Sequence, residues 1–120
     1  MTTSPALPRL YGIANCDTVK KARAWFRQQG CDVPFHDFKK SGVPGDRLDA
    51  WIGALGWERL VNRSGSTWRQ LDEPLRAAVV DATSATRLML AQSSVIKRPV
   101  VEWPSGEVTV GFDAGEWSRR

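Results

Sequence analysis

Residues 9–38 read RLYGIANCDTVKKARAWFRQQGCDVPFHDF, and this stretch contains the most specific signals for the fold. Its first apolar run, from Leu10 to Asn15, predicts a strand. From Thr18 to Gln29, apolar side chains recur at helical spacing, and Gly30 follows as a natural C-terminal stop. A second run rich in strand formers extends from Val33 to Phe38. These elements form a β-α-β unit, whose crossover normally makes the two strands parallel.

The rest of the chain adds a helical block and then a hairpin. The spacing of apolar residues predicts helices over Arg47–Leu55, Glu73–Asp81 and Ser84–Leu90, after a turn-rich connection at Lys39–Gly45. Further on, a Pro-Ser-Gly turn at 104–106 joins two strand-forming runs, and a short helix that contains Trp117 follows. The sequence therefore predicts an α/β protein with β-α-β and β-β-α parts on either side of a helical insertion.

The composition is typical of one small globular domain. The chain has 120 residues, of which 42% are hydrophobic and 25% charged. The net charge is only +4, and the basic residues are spread along the chain, so no specific nucleic-acid partner is expected. One histidine and two cysteines are too few for a zinc site, so no metal is expected.

Neither a membrane span nor a secretion signal is recognisable in the sequence. No apolar run approaches the roughly 20 residues that a membrane helix needs. The segment Met1–Pro8 reads as a loose leader without the charged and apolar blocks of a signal peptide. We therefore expect a cytoplasmic protein with no membrane partner, and a monomer.

The segment Asn15–Lys21 contains the most informative chemistry. It places Cys16 between a strand and the start of a helix, where free N–H groups and the helix dipole lower the pKa of a thiol. Thr18 is placed to cap the helix or to donate its hydroxyl to the sulfur. Lys20 and Lys21 oppose the helix dipole, a cost that a thiolate or a bound anion would offset. The alternative is a small buried cysteine in a strand-to-helix turn.

The second cysteine, Cys31, is predicted to be structural. It lies beyond the helix, about 20 Å from Cys16, whereas a disulfide needs Cα atoms within about 7 Å. Cys16 also lacks a Cys-x-x-Cys partner, because the relevant position is Val19. A reactive Cys16 would therefore need a second thiol from another molecule, such as glutathione or a protein partner.

Two arginines are candidate anion-binding residues. Arg63 lies in a loop between helices, and Arg98 precedes Pro99 at a strand start, where a cis peptide bond is possible. Arginine forks suit oxyanions and carboxylates, although each residue taken singly could be an exposed surface arginine. His36 has no nucleophile close in sequence and is expected to be a packed or surface histidine rather than a general base.

Three separated motifs carry a family resemblance. They are YGIANCDTVKKA at 11–22, LVNRSGSTWR at 60–69 and IKRPV at 96–100. With them the chain resembles the ArsC/Spx family of thioredoxin-fold proteins, and most closely its YffB branch. The resemblance implies one ArsC-like domain over residues 1–120. It also implies a thioredoxin-like core at about 9–40 and 95–118, with a helical insertion at about 41–94.

The resemblance also implies roles for individual residues. Cys16 matches the nucleophile, Arg63 and Arg98 match two oxyanion-binding arginines, and Pro99 matches a cis-proline. In a thioredoxin-like fold these side chains are expected to line one solvent-open pocket, with His36 outside it. The remaining residues expected to bind substrate or glutathione are Asn15, Thr18 and Lys20.

The implied function is that of a thiol-disulfide oxidoreductase. It would bind no cofactor and would use glutathione as co-substrate, acting on a small oxidised substrate or a protein partner. The alternative is an Spx-like adaptor that binds RNA polymerase or another protein without catalysis. Arsenate reduction is a third reading. Arsenate reductases of this type have a histidine where this chain has Gly12 and a third arginine near Gly111, and the Spx regulators carry a Cys-x-x-Cys that is absent here.

Overall fold

The computed structural model describes residues 7–120, so most of the leader predicted at Met1–Pro8 lies outside the described residues. The chain divides into two compact units. The first comprises the chain up to Asp37 together with Arg98–Arg120, and the second is Phe38–Lys97. In chain order, the elements are β1 (Arg9–Gly12), α1 (Asp17–Gln28), β2 (Phe35–Asp37), α2 (Phe38–Ser41), α3 (Gly45–Leu55), α4 (Trp57–Leu60), α5 (Ser66–Gln70), α6 (Glu73–Ala77), α7 (Ala82–Ala91), a 3₁₀ turn (Ser93–Val95), β3 (Val100–Glu102), β4 (Val108–Val110) and α8 (Ala114–Trp117).

The first unit contains a mixed four-stranded sheet in the order β2-β1-β3-β4. β1 is parallel to β2 and antiparallel to β3, and β3 is antiparallel to β4. The predicted β-α-β unit and the predicted hairpin are therefore confirmed. β2 is an edge strand that begins just after Pro34, a residue without an N–H to donate, and the Pro34 carbonyl accepts a hydrogen bond from the Leu10 N–H at 3.0 Å.

One face of this sheet packs against α1 and α8 through an aromatic core. Trp117 is 2% exposed, and its ring centroid lies 5.2 Å from those of Phe26 and Trp103. The rings of Trp25 and Phe112 contact it at 5.4 and 4.8 Å. Most of these rings meet edge-on or tilted, which is the arrangement that the charge distribution of aromatic rings favours. Trp117 therefore connects α8, α1 and the hairpin.

β1 and α1 approach each other closely at Gly12. A Cβ atom at this position would lie 2.9 Å from Cγ2 of Val19, which is fully buried. A β-branched side chain is stiff and has nowhere to move in a packed core. The glycine at position 12 therefore lets the strand lie against the helix that begins beside Cys16.

The second unit is helical and has its own core. Its buried apolar residues are Phe38, Leu48, Trp51, Leu60, Val61, Ala85, Met89, Val95 and Ile96. An isolated antiparallel bridge pairs Val61 with Ile96, and the Asn62 N–H donates to the Val95 carbonyl at 2.7 Å. The segment after α4 is therefore tied to the segment after α7.

The largest differences from the prediction in this helical unit are at α2 and α6, whereas α3 and α7 begin two residues earlier than predicted. The segment predicted as a turn-rich connection contains α2, a single turn that ends at Ser41 and is followed by Gly42 with φ +78°. Phe38 belongs to this helix rather than to β2. The helix predicted over Glu73–Asp81 ends at Ala77. Asp81 instead caps α7, because its side chain accepts the Ser84 N–H at 2.8 Å. Helical spacing cannot reveal such a cap, since it depends on a local hydrogen bond.

No helix among residues 7–120 is both long enough and apolar enough to cross a membrane.

Candidate active site

The β1–α1 loop places Cys16 at the N-cap of α1. Its backbone is extended, with φ −140° and ψ 125°, and its carbonyl accepts the first helical hydrogen bond from the Lys20 N–H at 2.9 Å. The side chain is half-buried, so the sulfur faces the open N–H groups of the first turn without being sealed from solvent. Asp17 supplies an acid in that turn, which complements the helix dipole.

The surroundings of Cys16 favour its thiolate. Partial burial raises the pKa of the thiol, but hydrogen bonds to the sulfur outweigh it. The donors are the Val19 N–H, the Arg98 side chain and the Thr18 N–H, and the charge of Arg98 acts in the same direction. The pKa of Cys16 therefore lies below its ordinary value. The sequence predicted this direction from the helix start alone.

The prediction that the Thr18 side chain caps the helix is wrong. Cys16 occupies the N-cap position, and no side chain makes the capping hydrogen bond. Thr18 contributes its backbone N–H to the sulfur instead. The Val19 N–H was not singled out from the sequence, because every residue type except proline carries this donor. Only the position of the helix start points to it.

Arg98 and Pro99 reach the site from the start of β3. The Arg98–Pro99 peptide bond is cis, as predicted. Pro99 is buried, and its carbonyl accepts the Gly111 N–H at 2.9 Å. Nε of Arg98 is also buried, and the Arg98 side chain acts to lower the pKa of the Cys16 thiol, against the effect of partial burial. Cys16 and Arg98 both lie in the first unit, and their joint role in binding a substrate stays a prediction.

The backbone favours glycine at positions 12 and 111. Arsenate reductases of this type carry a histidine and a third arginine at these positions. At Gly12, any side chain would meet Val19. Gly111 has φ +83°, in the left-handed region that an arginine rarely adopts. The backbone therefore disfavours both of those side chains here.

Asn15 and Lys20 form a polar rim beside the cysteine. Both residues are exposed, and Nζ of Lys20 lies 3.5 Å from Oδ1 of Asn15, a long hydrogen bond. The chain thus places an exposed positive charge one turn after Cys16. A direct contact of either residue with a substrate stays a prediction.

Arg63 lies in the second unit, in the loop between α4 and α5. It is exposed, and its Cζ lies 5.2 Å from the ring centroid of Trp57 and 6.0 Å from that of Trp68. Both are within the range of a cation–π contact. Its predicted place beside Cys16 stays a prediction.

Cys31 and His36, for which no catalytic role is predicted, both pack against aromatic side chains. Cys31 is a free thiol, as is Cys16, and it packs against the aromatic core of the first unit. The ring of His36 contacts that of Tyr11, its partner in the β1–β2 register, at 5.5 Å. Within residues 7–120, no cluster of three or more histidine, cysteine or acidic side chains could hold a metal ion.

Replacing Arg98 with methionine is expected to raise the pKa of Cys16. The substitution removes a hydrogen bond and a positive charge, both of which favour the thiolate. The rate of Cys16 alkylation by iodoacetamide, measured against pH in a Cys31→Ser background, should have its midpoint at a higher pH in Arg98→Met. The midpoint of Arg98→Lys should lie between those of the wild type and Arg98→Met. An unmoved midpoint in Arg98→Met would contradict the assignment.

The lowered pKa of Cys16 also makes the stability of the folded protein depend on pH. Because the folded-state pKa of Cys16 is lowered, its stabilisation is present above the pKa of the unfolded thiol. That stabilisation is lost as the pH falls through the folded-state pKa.

Known proteins resemble this chain over nearly its whole length. The sequence pattern of the ArsC family matches residues 11–119. An uncharacterized protein of Haemophilus influenzae is 35% identical over 108 residues, which are 90% of this chain and 93% of that protein.

Solved structures share the fold. A protein named YFFB superposes with a TM-score of 0.86 at 43% identity, covering 93% of this chain and 96% of its own. An arsenate reductase (ArsC) related protein of Brucella melitensis gives 0.75 at 45% identity, covering 98% and 97%. The predicted thioredoxin-like α/β fold is confirmed by these neighbours, and the chain belongs to the ArsC family.

Proposed function

We propose that this protein is a glutathione-dependent thiol-disulfide reductase of the cytosol, with Cys16 as its nucleophile. One observation carries the proposal. The Cys16 side chain is half-buried at the N-cap of a 12-residue helix, where the N–H groups of Val19 and Thr18 and the Arg98 side chain lower the pKa of the thiol despite that burial. Such surroundings favour the thiolate, which is the reactive form in thiol-disulfide exchange. Membership of the ArsC family supports the same class of reaction.

The proposed reaction has two balanced exchange steps. The Cys16 thiolate attacks the glutathione sulfur of a substrate–glutathione mixed disulfide, the old S–S bond breaks, and the substrate thiolate leaves and takes up a proton. A second glutathione, as thiolate, then attacks the glutathione sulfur on Cys16. This step releases oxidised glutathione and regenerates the Cys16 thiolate. Across both steps, one glutathione thiol is consumed and one substrate thiol is released, and the glutathione that was bound to the substrate leaves in oxidised glutathione.

The basic residues take the binding role in this proposal. Arg98 stabilises the thiolate. Arg63 takes the role of binding a carboxylate of glutathione or of an anionic substrate. Asn15, Thr18 and Lys20 form the rim through which the ligand enters. Arsenate reduction is disfavoured, because Gly12 and Gly111 occupy the positions of the histidine and the third arginine.

Trapping the intermediate tests the proposal. Reduced protein mixed with oxidised glutathione should form a mixed disulfide at Cys16, detected by mass spectrometry of the digested chain, faster than at Cys31. Reduced glutathione should remove it. Cys31 is the internal comparison, because it is a free, half-buried thiol outside the helix start.

Two results would overturn the proposal. One is an adduct that forms at Cys16 no faster than on a model thiol peptide. The other is a stable protein partner, captured from extract equally well by the wild type and by Cys16→Ser, in a protein that shows no glutathione turnover. That second result would favour an adaptor.

A further inference from the structure

The loop that carries Arg63 is held at its base and across its tip. At the base, the Lys97 N–H donates to the Leu60 carbonyl at 2.7 Å, beside the bridge between Val61 and Ile96. Across the tip, Nη2 of Arg69 donates to the Ser64 carbonyl at 2.7 Å. The loop backbone therefore has a defined course.

The turn itself is also specified by its residues. Oδ1 of Asn62 accepts the Ser64 N–H at 3.2 Å, and the Asn62 carbonyl accepts the Gly65 N–H at 3.3 Å. A Cβ atom on Gly65 would lie 2.9 Å from Nδ2 of Asn62. The side chain of Asn62 thus fills the space over Gly65, and Arg63 projects from a turn that admits little rearrangement.

Two indole rings then hold the charged group. Trp57 begins α4 and Trp68 lies in α5, so the rings come from opposite sides of the loop in sequence, and both are half-buried. Among residues 7–120, the Arg63 guanidinium contacts these two rings, and no acceptor there hydrogen-bonds to it. A cation–π contact restrains a guanidinium without using a hydrogen-bond acceptor. The N–H donors therefore remain available to a ligand.

We propose that Trp57 and Trp68 are positioning residues that hold Arg63 ready to bind the carboxylate of glutathione. This inference rests on the proposed function for the identity of the ligand. A free arginine side chain loses several rotatable bonds on binding, and two rings that restrain it beforehand reduce that cost. The planar guanidinium can then meet a carboxylate with two parallel N–H···O bonds.

The experiment measures binding of S-methylglutathione, whose blocked sulfur cannot react with Cys16. Titration calorimetry should give a Kd that rises about threefold to tenfold in Trp57→Leu and in Trp68→Leu. Trp57→Phe should restore part of the affinity, because phenylalanine keeps a π face. Trp25→Leu is the matched control, since Trp25 is equally half-buried but packs in the first unit, and its Kd should equal that of the wild type.

A double-mutant cycle separates positioning from general damage to the fold. In an Arg63→Ala background, Trp57→Leu should cause no further loss of affinity, because the ring acts only through the arginine. Equal losses in the presence and absence of Arg63 would overturn the inference, as would an unchanged Kd in both tryptophan variants or a wild type that does not bind S-methylglutathione.

Different measurements test the proposed function and the role of the two tryptophans. Turnover and the Cys16 adduct test the reductase, whereas the Kd of the unreactive analogue tests the tryptophans. Tight analogue binding that weakens in Trp57→Leu without any turnover would support the inference and remove the reductase. Turnover of the wild type, together with an unchanged Kd in both tryptophan variants, would support the reductase and overturn the inference.

Discussion

Cys16→Ser is expected to lower the rate of glutathione-dependent reduction at least about 1,000-fold. The N–H groups of α1 and the Arg98 side chain lower the pKa of the Cys16 thiol and so favour its thiolate, whereas a serine hydroxyl ionises at far higher pH and stays protonated in the same place. The measurement is the steady-state release of thiol from a glutathionylated peptide, corrected for the reaction of glutathione alone.

Cys31→Ser is the matched control for this loss. It removes the other thiol of the chain, which packs against the aromatic core, and should leave the rate within about twofold of the wild type. A Cys16→Ser protein that retains the rate, or a Cys31→Ser protein that loses it while remaining folded, would show that Cys16 is not the nucleophile.

Trp117→Ala is expected to lower the free energy of unfolding by about 3–5 kcal/mol. Trp117 is 2% exposed and contacts the rings of Trp25, Phe26, Trp103 and Phe112. Truncation to alanine leaves a cavity between α8, α1 and the hairpin that a closely packed core cannot close fully. For a small domain, a loss of this size is a large part of the total stability.

Urea unfolding followed by far-UV circular dichroism measures this loss. Trp117→Phe should cost less than Trp117→Ala, because a ring remains in the cluster. Leu75→Ala, at a residue that is 54% exposed, should stay within about 0.5 kcal/mol of the wild type. A Trp117→Ala protein as stable as the Leu75→Ala control would show that the aromatic cluster is not the core of the first unit.

Much of the fold was predictable because its signals are local. The apolar spacing from Thr18 to Gln29 and the strand-forming runs on either side specify a β-α-β unit, and the Pro-Ser-Gly turn at 104–106 specifies the hairpin. Errors arose where one hydrogen bond sets a boundary. Asp81 caps α7 through the Ser84 N–H, and helical spacing alone does not distinguish that cap from a continuing helix.

The candidate site, like the fold, was only partly predictable from the sequence. The position of Cys16 at a helix start was predictable from the sequence, because the strand, the glycine and the amphipathic helix around it are all encoded within about twenty residues. It could not determine that Val19 and Thr18 act through backbone N–H groups, since nearly every residue has that group.

The packing of separate elements determines which side chains meet. Arg98 reaches the Cys16 sulfur because β3 lies beside β1 in the sheet, and the indole rings of Trp57 and Trp68 meet Arg63 because α4 and α5 leave its loop on both sides. Neither contact has a signature in residue spacing. Each depends on how separate elements pack, and burial of apolar surface drives that packing without regard to the distance along the chain.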